Sequence, residues 1–199
     1  VDEIIEQLSA VGADAVRSSL VLASGGNLSA RLSAETFVIT AAGTWLDRLQ
    51  PQDFTVMNLT GAVLQGPRPS SEWKLHQRAY LSRPDANCVI HMHPQHATLL
   101  ATLGQEIRLF TLDHAAYVES IGITEFYPNG SDELADTAAH ELASHNCVVM
   151  KHHGCSVVAD TIEMAYRRVL NLESAAQYSF KALQLGDQHT RFTAASWHA

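Results

Sequence analysis

Two pairs of histidines and one acid are the residues of this chain best placed to do chemistry. In Cys88-Val89-Ile90-His91-Met92-His93-Pro94, three apolar residues run into His-Met-His and a proline ends the run. Side chains on an extended segment alternate between faces, so His91 and His93 project from one face at a strand end. Two imidazoles at the mouth of a buried strand are costly unless something binds them, and neutral imidazole is the commonest ligand of zinc. His152-His153-Gly154 repeats the pattern at the end of a second apolar run, 147–151. Adjacent residues face opposite ways, so one of His152 and His153 joins the first pair. Three histidines with an open fourth position make a catalytic rather than a structural zinc site.

Glu72 follows Ser70-Ser71 at the start of a helix. The helix dipole favours an acid there whatever the function. Free N–H groups and two serine hydroxyls at a helix start also suit a phosphate. Gly25-Gly26-Asn27 offers a second place where backbone can approach an anion closely. The remaining candidates read more plainly. His76 and His96 fall on helices beside the motifs as supporting or packing residues. His140 and His145 belong to a surface helix and its end, and His189 and His198 to the tail. Cys155 reads as a small core thiol.

These residues need strands and helices to hold them. Apolar spacing near 3.6 predicts a first helix over 2–23, ended by Gly25-Gly26. Strands are expected at 28–32 and 37–40, a small-residue loop at 41–44, a short helical turn at 49–53, and a hairpin of 55–58 with 62–65. A helix capped by serine at 70–71 runs to Ser82, before Pro84. Strand 88–91, helix 94–103, strand 109–112, helix 113–119, strand 123–127, helix 132–144, strands 147–151 and 156–159, and a long helix 161–185 complete the pattern.

At 199 residues and 46% hydrophobic content the chain can bury a full α/β core, and residues 1–199 read as one domain. A formal charge of -8 argues against a non-specific nucleic-acid binder. No apolar stretch is long enough to span a bilayer, and no basic segment followed by an apolar run opens the chain. The three cysteines sit in apolar or histidine-rich runs, which argues against a disulfide framework and places the protein in the cytoplasm.

Four motifs in order, Gly26-Asn27-Leu28-Ser29, Pro69-Ser70-Ser71-Glu72, Ala86-Asn87-Cys88-Val89-Ile90-His91-Met92-His93 and Lys151-His152-His153-Gly154, resemble the class II aldolase/adducin family. The resemblance covers nearly the whole chain and is closest to the L-fuculose-1-phosphate aldolase branch. It implies a three-layer α/β/α domain around a mostly antiparallel sheet, assembled as a homotetramer with active sites between subunits. It implies that His91, His93 and His153 hold Zn2+, or another divalent ion such as Mn2+ or Co2+, with Glu72 as acid/base. Gly26, Asn27, Gly43, Ser70 and Ser71 are then the pocket for the phosphate of a small sugar phosphate. The implied reaction cleaves a ketose 1-phosphate to dihydroxyacetone phosphate and an aldehyde, with zinc stabilising the enediolate as a Lewis acid.

Two positions depart from the branch. Ala42 stands where it has a small polar residue, and Leu112 where it has a tyrosine, with Tyr117 one turn away. Related 4-epimerases look to have aspartate at the position of Glu72. Dehydratases and decarboxylases of phosphorylated substrates share the metal chemistry. Adducin-like relatives keep the fold as an interaction module without the ligands, which are present here.

Overall fold

Strands apolar on both faces need cover on both faces. The structure, a computed structural model, describes residues 1–193. In chain order its elements are α1 (Asp2–Arg17), β1 (Asn27–Arg31), β2 (Thr36–Thr40), β3 (Phe54–Asn58), β4 (Val63–Gln65), α2 (Trp73–Ser82), β5 (Cys88–Met92), α3 (Gln95–Thr102), α4 (Leu112–Tyr117), β6 (Ile121–Thr124), α5 (Asp132–Leu142), β7 (Cys147–Met150), β8 (Gly154–Ala159) and α6 (Ile162–Gln184). Two 3-10 turns, Leu46–Arg48 and Pro51–Asp53, link β2 to β3.

The strands form one eight-stranded sheet in the order β4-β3-β2-β1-β5-β8-β7-β6. Every pairing is antiparallel except that of β6 with β7. On one face, Leu28, Ile90, Met92, Val149 and Val157 pack with Leu8 of α1, Leu100 of α3 and Val169 and Leu172 of α6. On the other, Phe37, Val89, Val148 and Val158 pack with Leu75 and Tyr80 of α2 and Leu134 and Leu142 of α5. The result is the expected three layers. Burying a large apolar side chain is worth roughly 1.5–3 kcal/mol, against about 0–1 for an exposed ion pair, so these two clusters hold the layers together.

The alternation that splits the core also sorts the polar residues. Asn27 and Ser29 of β1, His91 of β5 and Ser156 of β8 are buried, and each sits at a position whose neighbours face the α1–α3–α6 layer. They therefore face α2, the helix that follows Glu72.

Local structure differs from the sequence expectations in several places. The first helix stops at Arg17 rather than 23, because Ser19 turns the chain with a positive φ and Leu20 and Val21 are drawn into the core. The Leu20 carbonyl then accepts the His93 N–H, which ties this turn to the histidine strand. Residues 109–111 form no strand; Thr111 instead caps α4 by accepting the His114 N–H. Strand β6 begins at Ile121, two residues early, because its parallel register starts at Ile121 opposite Cys147. Helix α2 starts at Trp73 with Glu72 as its N-cap, and no side chain caps it. Ser70 accepts the Glu72 N–H at 3.3 Å and shapes the turn before the helix instead.

Candidate metal centre and its cavity

The centre is built where β1, β5 and β8 run side by side. Asn27 pairs with His91, and His91 with Ser156, so one row of the sheet carries all three. His93 continues the His91 face just beyond β5. His153 comes from the turn before β8, where its N–H is donated to the Met150 carbonyl. Glu72 reaches the same point from the start of α2. One ligand atom each from Glu72, His91, His93 and His153 lies within 4.8 Å of the others, a set able to hold a metal ion.

Two glycines make the approach possible. A Cβ on Gly154 would stand 2.3 Å from the Met92 carbonyl oxygen and 2.6 Å from His93 Cδ2. Gly26 has φ 75°, and a Cβ there would stand 2.9 Å from the His91 carbonyl oxygen. Both contacts are shorter than real Cβ atoms tolerate, so only glycine lets the strands and the loop close on the histidines.

The hydrogen bonds around His91 set its tautomer. Nδ1 lies 2.9 Å from the Cys155 carbonyl oxygen, which only accepts, so Nδ1 carries the proton. Nε2 then presents a lone pair to His93 Nε2 at 3.0 Å and to Glu72 Oε2 at 3.1 Å. Glu72 Oε1 is 3.0 Å from His153 Nε2 yet has no hydrogen-bond partner despite being buried. Lone pairs converging this closely repel unless a cation lies among them. Three imidazole nitrogens and a carboxylate oxygen suit a zinc-type divalent ion. The residues fit a metal.

Electrostatics point the same way. Burial acts to raise the Glu72 pKa, but positive charge and N–H donors on His91 and His153 in their protonated form outweigh it and hold the carboxyl well below the usual carboxylate range, and a metal cation in the place of those protons acts in the same direction. Glu72 is therefore ionised at neutral pH. Burial, reinforced by the neighbouring imidazoles, lowers His93 to about 3, so this ring is neutral and able to ligate.

A cavity of about 250 Å³ opens beside the cluster, lined by Gly26, Asn27, Gly43, Ser70, Ser71, Glu72 and His93. All five residues expected around a phosphate therefore share one wall system. Among the described residues, no lysine or arginine lines it. An anion entering this space would meet backbone N–H groups, hydroxyls and the start of α2, while compensating charge would come from a metal at the histidines.

Of the two adjacent histidines, His153 joins the cluster. His152 is exposed at φ 59°, its ring edge-on to Phe126. His96 binds Glu173, whose carboxylate also accepts the main-chain N–H groups of His96 and Ala97 at the start of α3. His140 is exposed, and His198 lies outside the described residues. Leu112 is 53% exposed and the Tyr117 hydroxyl accepts from Arg167, and neither lines the cavity. Ser24, Thr44 and Asn129 also line it, and sequence reasoning missed them. Small polar residues in loops give no signal beyond loop composition.

The sequence model described as Class II Aldolase and Adducin N-terminal domain matches residues 6–180. The chain belongs to this family. Among class II aldolase/adducin relatives, an L-fuculose phosphate aldolase of Methanocaldococcus jannaschii is 33% identical over 157 residues, 79% of this chain and 84% of the relative. A 5-deoxy-D-ribulose 1-phosphate aldolase of Bacillus thuringiensis is 29% identical, over 92% of this chain and 86% of the relative. A solved L-fuculose 1-phosphate aldolase superposes with TM-score 0.90 at 27% identity, covering 98% of this chain and 93% of its own. The family fold and the α/β layering described above agree.

Proposed function

We propose that this class II aldolase family member is a zinc-dependent lyase. It would cleave a ketose 1-phosphate of the L-fuculose type to dihydroxyacetone phosphate and an aldehyde. The observation that carries the reading is the convergence of Glu72, His91, His93 and His153 at the edge of a polar cavity. In this reading His91, His93 and His153 hold the ion, and Gly26, Asn27, Gly43, Ser70 and Ser71 surround the phosphate. A single domain, a homotetramer and a cytoplasmic setting belong to the same proposal.

A divalent ion at this cluster supplies Lewis-acid stabilisation of the negative charge that develops beside the ketone. The chain's own residues do the rest. Phosphate bound at Ser70 and Ser71 gives binding energy away from the reacting bond and fixes the sugar's orientation. In condensation the ionised Glu72, 4% exposed, takes a proton from the carbon beside the ketone; in cleavage the hydroxyl on the carbon that becomes the aldehyde gives up a proton, and through Glu72 one proton reaches the enediolate carbon, so the step balances. A glutamate rather than an aspartate at this position favours aldol cleavage over 4-epimerisation.

Elemental analysis paired with a cleavage screen tests the proposal. A panel of ketose 1-phosphates is offered with and without chelator, and dihydroxyacetone phosphate release is followed. The expected result is stoichiometric zinc and chelator-sensitive release. Bound metal without release from any substrate moves the activity to dehydration, decarboxylation or epimerisation. Neither metal nor release leaves an adducin-like interaction module.

A further inference from the structure

From Glu72 a line of buried polar groups leads into the core. Asn27 Nδ2 donates to Glu72 Oε2 at 2.9 Å. Asn27 Oδ1 faces His76 Nε2 in a short hydrogen bond. His76 Nδ1 lies 2.6 Å from Ser29 Oγ, and Ser29 Oγ lies 2.8 Å from the Tyr80 hydroxyl. Asn27 is 4% exposed, and His76, Ser29 and Tyr80 are at 0–1%. None of His76, Ser29 and Tyr80 lines the cavity, and none belongs to the metal-competent set.

The polarity of this line follows from its first member. An ionised carboxylate only accepts, so Asn27 turns its amide nitrogen toward Glu72 and its carbonyl toward His76. His76 then carries its proton on Nε2 to donate to that carbonyl. Its Nδ1 is left to accept the Ser29 hydroxyl, which in turn accepts from Tyr80. Each donor meets an acceptor with a neutral imidazole at the centre. Turning the asparagine over would set its carbonyl against the carboxylate and its NH2 against the His76 N–H.

The secondary structure explains why the line exists. Glu72 and His76 are one helical turn apart, and Asn27 and Ser29 are two residues apart on one strand face. Four residues of helix advance roughly 6 Å and two residues of strand about 6.6 Å, so the two repeats match. The side chains meet as successive rungs between α2 and β1.

From this geometry we infer that His76 is a positioning residue that acts through Asn27. It fixes the Glu72 carboxylate so that Oε2, 3.1 Å from His91 Nε2, is held by the asparagine while Oε1 faces His153 Nε2 at 3.0 Å. His76 sets the proton-transfer step without touching metal or substrate. The inference rests on the proposed acid/base role of Glu72. It also gives Asn27 a task distinct from holding phosphate.

The test compares metal-loaded wild type with His76→Leu and His76→Gln, glutamine keeping an N–H donor for the Asn27 carbonyl. His76→Leu is expected to lower kcat for ketose 1-phosphate cleavage by about 10–100-fold. KM, metal per chain and inhibition by inorganic phosphate should stay within about twofold of wild type, and His76→Gln should recover most of the kcat. An unchanged kcat in His76→Leu overturns the inference, as does a joint loss of kcat, metal and phosphate binding, which marks plain packing. A second measurement needs no activity. In long-range 1H–15N spectra of the wild-type protein at neutral pH, His76 should be the Nε2–H tautomer. An Nδ1–H tautomer overturns the inference whatever the enzyme does. A wild type that cleaves nothing in the panel rejects the aldolase reading instead, and the tautomer then decides this inference.

Discussion

At the centre, one carboxylate and three imidazoles differ in what their loss would remove. Glu72 is ionised and one of its oxygens makes no hydrogen bond, so its proposed work is proton transfer rather than holding the fold. Glu72→Gln is therefore expected to keep its metal and lose at least about 100-fold in turnover, measured as dihydroxyacetone phosphate release against metal per chain. The two adjacent histidines should separate in the same metal analysis. His153→Ala removes a nitrogen from the cluster and lowers metal content. His152→Gly leaves metal unchanged and stabilises the chain by about 1 kcal/mol in urea unfolding, because glycine adopts φ 59° without strain. Equal metal loss in both would reject the division of roles.

Between elements, the site depends on how closely β5, β8 and the loop after α1 approach. Gly154 lies where β8 crosses the Met92 carbonyl and the His93 ring. In Gly154→Ala the new methyl meets backbone, which cannot swing aside as a side chain can. Overpacking of this kind costs about 1–3 kcal/mol, and here the displacement falls on His93, a residue proposed to hold the metal. Lower urea midpoints and lower metal content together are the expected result. Gly43 provides the control. Its φ is 75°, as at Gly26, but nothing lies within 4 Å of a Cβ there. Gly43→Ala should show the backbone penalty alone, about 1 kcal/mol, with metal retained.

For the whole molecule, the buried polar groups couple folding to pH and to metal. Burial, followed by repulsion from His91 when that ring is protonated, lowers His76 to about 3 from an ordinary value of 6.5. Folding holds this ring neutral, so its contribution is present in full above pH 6.5 and is lost as the pH falls toward 3. Between pH 7 and pH 5 the metal-free protein should lose about 2 kcal/mol from this group, and His76→Gln should flatten that slope in urea titrations. Metal acts in the opposite direction. An ion that binds only the folded chain adds about 2.7 kcal/mol at 100 times its Kd, so chelation should lower the melting temperature and zinc should restore it.

Much of this protein was legible in the order of its residues. Period-two alternation put His91 and His93 on one face, and apolar runs ending in imidazoles marked β5 and β7. The ordered motifs announced the family, its three layers and the residues that gather at the cavity. What only the tertiary structure decided was which groups touch. Alternation leaves open whether His152 or His153 turns inward, because it does not reach into turns; the resemblance names His153, and one positive φ at His152 is how the turn brings His153 in. That Ser70 shapes a turn while Glu72 begins α2 rests on the Ser70 hydroxyl accepting the Glu72 N–H, which helix-start propensity alone does not fix. The pairing of Asn27 with Glu72 and of His76 with Ser29 depends on the register of β1 against β5 and the height of α2 above them. Local sequence sets faces and ends; distances across a sheet and between layers come from packing of residues far apart in the chain.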